Sequence, residues 1–150
     1  MSSGLRVRQF GSYLRPMGHS GQSWSKRHAE WRFKQQQAEQ AQQVADRLCV
    51  EAWNERLMQL GGPLQPSPSL RGAINGGYAW LRVECNACKQ YAWVDLRKVR
   101  RPPGTWIWQL EASLVCEHCR RGSRYAPRAR IEMLCQHEHQ LGALRHQDRD

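Results

Sequence analysis

Cys85-Asn86-Ala87-Cys88 and Cys116-Glu117-His118-Cys119 are two C-x-x-C pairs separated by 27 residues, 89 to 115. A C-x-x-C turn aims two sulfurs at one point. Two such turns supply the four soft ligands that tetrahedral zinc takes in a closed structural site, with Zn–S bonds of about 2.3 Å. Cys85, Cys88, Cys116 and Cys119 are therefore the expected ligands, and structural Zn2+ the expected cofactor. The gap exceeds the roughly 15–20 residues of the commonest spacing, which predicts an inserted element over 96–110. Four thiolates also suit an iron–sulfur cluster, which spacing alone leaves open. A redox C-x-x-C sits at a helix start within a βαβ unit, and none is visible around these pairs. The H-x-E with P-C-x-x-C pattern of zinc deaminases is missing. A sphere filled by four thiolates has no open position for catalysis, so the chain is expected not to be an enzyme. His118 is expected to face solvent.

Working outward from the pairs, Tyr78 to Glu84 is rich in aromatic and β-branched residues and predicts a strand leading into Cys85. Tyr91 to Val94 predicts a second strand and Leu96 to Arg100 a helical turn. Pro102-Pro103-Gly104 breaks what precedes it, and Thr105 is a cap for a short helix through Leu110. Arg128, Arg130 and Glu132 alternate with Ala129, Ile131 and Met133, which predicts a third strand with one wet face. Trp80, Trp106 and Leu110 are expected to fill the core. Such a small module holds itself together with difficulty by apolar burial alone, and structural zinc adds on the order of 10–16 kcal/mol in small finger peptides.

Trp24 to Leu60 contains no Pro or Gly. Ser23 as N-cap and Gly61-Gly62-Pro63 as a stop predict one helix over 23–62. Its first half is polar all round. Its second half carries Val44, Leu48 and Ala52 on one stripe and Val50, Trp53, Leu57 and Leu60 on the next, with Cys49 on the packing face. That wide apolar face is expected to pack on the chain's own second half, and in the alternative it recruits a protein partner. Pro63, Pro66 and Pro68 mark residues 63–75 as an extended linker. Residues 1–22 are expected to be a mobile basic tail and 135–150 a polar tail. Cys135, His137 and His139 are three further donors in that tail, which leaves a second metal open.

The chain has 150 residues, with 23 Lys and Arg against 13 Asp and Glu, a net charge of +10 and a pI of about 9.9. Only Lys26, Lys34, Lys89 and Lys98 are lysines. Arginine donates bidentate hydrogen bonds to phosphate and stacks on bases, so this balance suits a nucleic-acid binder, DNA or RNA. Arg97, Lys98, Arg100 and Arg101 before the Pro-Pro turn, with Arg120, Arg121 and Arg124 after the second pair, are the expected phosphate contacts. Trp80, Trp93, Trp106, Trp108, Tyr91 and Tyr125 interleave with them, and an exposed subset would stack on unpaired bases. A mean hydropathy of −0.78 and no long apolar run exclude a membrane span. Residues 1–21 lack the apolar region of a secretory signal, which predicts a cytoplasmic chain.

The run Ala73-Ile74-Asn75-Gly76-Gly77-Tyr78-Ala79-Trp80-Leu81-Arg82-Val83-Glu84-Cys85, with Arg100-Arg101-Pro102, Trp106-Ile107-Trp108, Cys116-x-x-Cys119 and Arg124-Tyr125-Ala126-Pro127, resembles a family of small uncharacterised bacterial zinc-ribbon-like proteins with two C-x-x-C pairs. The resemblance covers about Asn54 to Leu134 and implies a zinc-ribbon-like domain over 76–134, with no activity attached. The expected fold is thus small, metal-stabilised α+β: a zinc-ribbon-like β module preceded by one long N-terminal α-helix. The expected role is non-catalytic, either nucleic-acid binding or, in the alternative, that of an adaptor whose zinc module is a scaffold and whose Val44–Leu60 face recruits a protein.

Overall fold

The computed structural model of the protein describes residues 21–62, 64–122 and 124–137. The expected tail over 1–22 lies outside these, apart from its last two residues, as does most of the tail over 135–150. The elements run α1 (Gly21–Leu60), α2 (Leu70–Asn75), β1 (Trp80–Cys85), β2 (Tyr91–Asp95), a 3-10 turn (Leu96–Lys98), α3 (Ile107–Leu110), a second 3-10 turn (Glu111–Ser113), α4 (Glu117–Arg120) and β3 (Ala129–Cys135). This is a small α+β fold. The strands form one antiparallel sheet in the order β2-β1-β3.

Contacts divide the chain into two units, residues 1–36 and 37–150. In the described part of the first, the start of α1 leaves Trp24, Trp31 and Phe33 exposed. His28 lies between Trp24 and Trp31, with ring centres 6.0 and 5.8 Å away.

The second unit holds the core. Val50, Trp53 and Leu57 of α1 meet Leu70 and Ala73 of α2, Leu81 and Val83 of β1, Leu96, Ile107, Leu110, and Ala129, Ile131 and Leu134 of β3. The i, i+3, i+7 spacing of Val50, Trp53 and Leu57 puts them on one stripe. The neighbouring stripe does not pack: Val44, Leu48 and Ala52 are exposed, as are Cys49 and, at the end of the packing stripe, Leu60. The three-stranded sheet takes one row of the helix. Gly61, at φ +67°, ends α1 by donating its N–H to Leu57 O at 2.8 Å, the left-handed cap that glycine favours.

The stretch expected to be an extended linker contributes to the core instead. Ser69 caps α2 by accepting the Gly72 N–H at 3.0 Å, Ser67 and Pro68 are buried, and Trp53 Nε1 donates to Leu64 O at 3.0 Å. The indole needs that partner because it is wholly enclosed. The alternation expected in β3 also breaks. Arg82 faces Met133 while its neighbour Val83 faces Ile131, so Glu132 is the extra residue of a bulge. The switch turns Leu134 into the core and leaves Met133 half-buried. Trp106, expected in the core, is 47 % exposed, whereas Ile107 and Leu110 are buried.

Candidate metal centre

Cys85 is the last residue of β1 and is held by β3 on one side and by the residue before β2 on the other. It opposes Ala129 of β3, and its N–H donates to Gln90 O at 2.9 Å. The chain then turns tightly: the Lys89 N–H returns to Cys85 O at 3.1 Å, with Lys89 at φ +61°. The Ala87 N–H points at Cys85 Sγ at 3.4 Å. The second pair is carried by a helix start instead of a strand end. Cys116 is the residue before α4, and the Arg120 N–H donates to Cys116 O at 3.0 Å.

The approach to β3 joins the two turns. Pro127 O accepts the Cys116 N–H at 3.3 Å, and Arg128 O accepts the Asn86 N–H at 3.2 Å. These bonds fix the pairs against each other. The four sulfurs lie within 4.8 Å of one another, with Cys85 Sγ 3.9 Å from Cys119 Sγ and Cys88 Sγ 3.8 Å from Cys116 Sγ. Regular tetrahedral ligation with bonds of about 2.3 Å requires sulfur–sulfur edges of about 3.8 Å, so the residues fit a zinc ion. The Cys85 and Cys119 thiols differ in acidity. The backbone N–H of Cys88, aided by that of Ala87, lowers Cys85 to about 7, while hydrogen bonding to the Cys88 thiol, with burial, pushes Cys119 up to about 12. The four sulfurs cannot all ionise side by side, and a divalent cation among them removes the conflict.

Among the described residues no other group of three or more potential ligands comes together. Cys135 is buried, and burial raises its thiol to about 11. His137 is exposed, and His139 lies outside the described residues. His118 is exposed and is not one of the four converging ligands.

The expected phosphate contacts divide into two kinds. Arg97 is engaged: its Nε and Nη2 donate to the two oxygens of Asp95 at 2.8 and 3.0 Å, which holds that carboxyl below its usual range. Arg120 lies 3.7 Å from Glu117. Lys98, Arg100, Arg101, Arg121 and Arg124 are exposed, with no ion pair among the described residues. Sequence reasoning missed Arg82, which β1 turns onto the outer face of the sheet and which is buried. The strand alternation Trp80, Arg82, Glu84 was the available signal.

The chain matches no family model, and no curated protein and no solved structure shows significant similarity to it. The cysteine cluster is consistent with a small zinc-binding module, and no relative supports the expected family.

Proposed function

We propose that this chain is a non-catalytic, cytoplasmic zinc protein that binds nucleic acid. The observation that carries this reading is a set of exposed cations with no ion pair among the described residues: Arg121 and Arg124 just after the second cysteine pair, and Lys98, Arg100 and Arg101 beyond Asp95, at the end of the sheet away from Cys85. Guanidinium groups held without carboxylate partners are available to phosphate, and each phosphate neutralised releases counterions. The non-catalytic role follows from a ligand sphere that four thiolates close.

The test is affinity for generic DNA and RNA across a salt series. Log affinity should fall linearly with log salt, and replacing Arg100 and Arg101 by Ala should flatten the slope. No binding at low salt rejects the reading. One observation favours the adaptor alternative: Val44, Leu48, Met58 and Leu60 are apolar and exposed along the second half of α1. In that case Leu48→Glu removes function while the Arg100 and Arg101 replacements do not.

A further inference from the structure

The sheet has one face on the core and one away from it. Leu81 and Val83 point inward. Trp80, Arg82 and Glu84 take the opposite face, across from Asp95, Trp93 and Tyr91 of β2 and from Cys135, Met133 and Arg130 of β3. Trp80, Trp93 and Met133 are half-buried, yet none of them is among the hydrophobics packed on the core, which are Leu64, Ile74, Tyr78, Val94, Val99 and Leu114. They form a second apolar surface, separate from the core cluster, around the buried Arg82 and Cys135.

Charge on this face is arranged unusually. The Arg82 guanidinium carbon lies 3.8 Å from the Tyr91 ring centre and 6.0 Å from that of Trp93. Arg82 is only 8 % exposed, and its Nε is buried without a hydrogen-bond partner among the described residues. A guanidinium so enclosed ordinarily takes a carboxylate. Here every carboxylate on the face is taken: Glu84 by Arg130 at 3.1 Å and Lys89 at 4.0 Å, Glu132 by Arg130 at 2.9 Å, and Asp95 by Arg97. Arg97 in turn lies 5.7 Å over Trp80. Among the described residues the result is a positive charge on the central strand with no carboxylate partner, stacked on rings of the edge strand β2, where Tyr91 is 38 % exposed.

A ligand complementary to this surface is flat, has a π-face and carries negative charge. We infer that the outer face of the sheet, Tyr91 and Trp93 with Arg82 between them, is a stacking platform for unpaired bases, so the nucleic acid bound is single-stranded. This rests on the nucleic-acid reading above and narrows it. Bases stack on aromatic rings and guanidinium planes alike, and Arg82 supplies the charge that the adjoining phosphate needs. A duplex keeps its bases stacked on each other and cannot use the face.

The test uses the full-length zinc-loaded protein, a fluorescently labelled oligothymidylate and a mixed-sequence duplex. The single strand should bind more tightly than the duplex and quench tryptophan emission. Tyr91→Ala should weaken single-strand binding about 5- to 100-fold and leave duplex binding unchanged, while Tyr91→Phe should retain affinity. Trp93→Ala should remove most of the quenching. If that variant loses zinc, the Tyr91 pair decides. Equal binding of both ligands, with Tyr91→Ala silent and the Arg100 and Arg101 replacements weakening both, overturns the platform while the nucleic-acid reading stands. No binding of either ligand at low salt overturns the reading and the platform together.

Discussion

The carboxamide of Asn54 makes two hydrogen bonds to the backbone of Leu134, donating from Nδ2 to its carbonyl oxygen and accepting its N–H at Oδ1, both at 2.9 Å. Strand β3 has β1 on one side only, so at this residue a helix side chain stands in for the missing neighbour. Asn54 and Leu134 are both buried, and water cannot replace the bonds. Asn54→Ala should therefore cost about 2–4 kcal/mol, since an unsatisfied buried polar group costs about 1–3 kcal/mol. Urea unfolding with zinc content held equal measures it. A variant within about 0.5 kcal/mol of the parent, the range of an ordinary surface change, would contradict the account.

Metal analysis of freshly purified protein should find one zinc per four-cysteine site. Cys85→Ser or Cys116→Ser should release it and abolish the near-UV tryptophan signal of the second unit, because removing a structural zinc removes folding free energy. Retention also depends on pH: the ligands bind as thiolates, so acid should release the ion and unfold the protein together. A metal-free variant with an unchanged near-UV spectrum refutes the coupling.

Gly76 is buried against α1, where an added Cβ would lie 2.8 Å from Arg47 N and 3.0 Å from both Arg47 Cα and Asp46 C. Its φ of −71° suits any residue, so space alone demands glycine. The same seam carries the Asn75 Nδ2 bond to Asp46 Oδ2 at 2.7 Å. Gly76→Ala should push α1 from the sheet unit and cost about 1–3 kcal/mol, read as a lower midpoint in urea.

Arg97 and Arg100 are separated by two residues and should behave differently. Because Asp95 holds Arg97, Arg97→Ala should change the salt slope of nucleic-acid binding little. Loss of Arg100 or Arg101 should reduce it by about 1 for each phosphate contact removed. Asp95→Asn, which frees Arg97, should steepen it.

Burial raises the Cys135 thiol from 9.0 to about 11. An acid whose folded pKa is raised stabilises the fold below its unfolded value, and that contribution is lost as pH rises from about 9 toward 11. Alkylation at neutral pH should accordingly modify exposed Cys49 first and Cys135 last in the zinc-loaded protein, as peptide mass spectrometry will show. Early modification of Cys135 would mean that β3 opens readily.

The parts of this fold that a linear reading recovers are those set by local chemistry. The two cysteine turns, the three strands and the 3-10 turn after Asp95 each depend on a few adjacent residues, and the structure has them close to where they are expected. Choices between equivalent local patterns were not legible. Both stripes of α1 are apolar, and only the room under the sheet decides that Val50, Trp53 and Leu57 enter while Val44 and Leu48 do not. The β3 bulge is a tertiary event that reverses the roles of Met133 and Leu134. Proline-rich 63–75 looked extended because proline opposes helix, yet Ser69 caps α2 directly after the last proline. In the candidate site, spacing identifies the four candidate ligands, and the Asp95 hold on Arg97, two residues away, is local too, but nothing local reveals that Arg82 lies among rings.

The sheet order carries a consequence for how the chain acquires its shape. β1, the middle strand, is made before either flanking strand is complete, and β3 is the last of the three in sequence. During synthesis the edge of β1 that will pair with Ile131 and Leu134 stays unpaired until those residues leave the ribosome. Non-local pairing of this kind folds slowly, and the waiting apolar edge is an opportunity for aggregation.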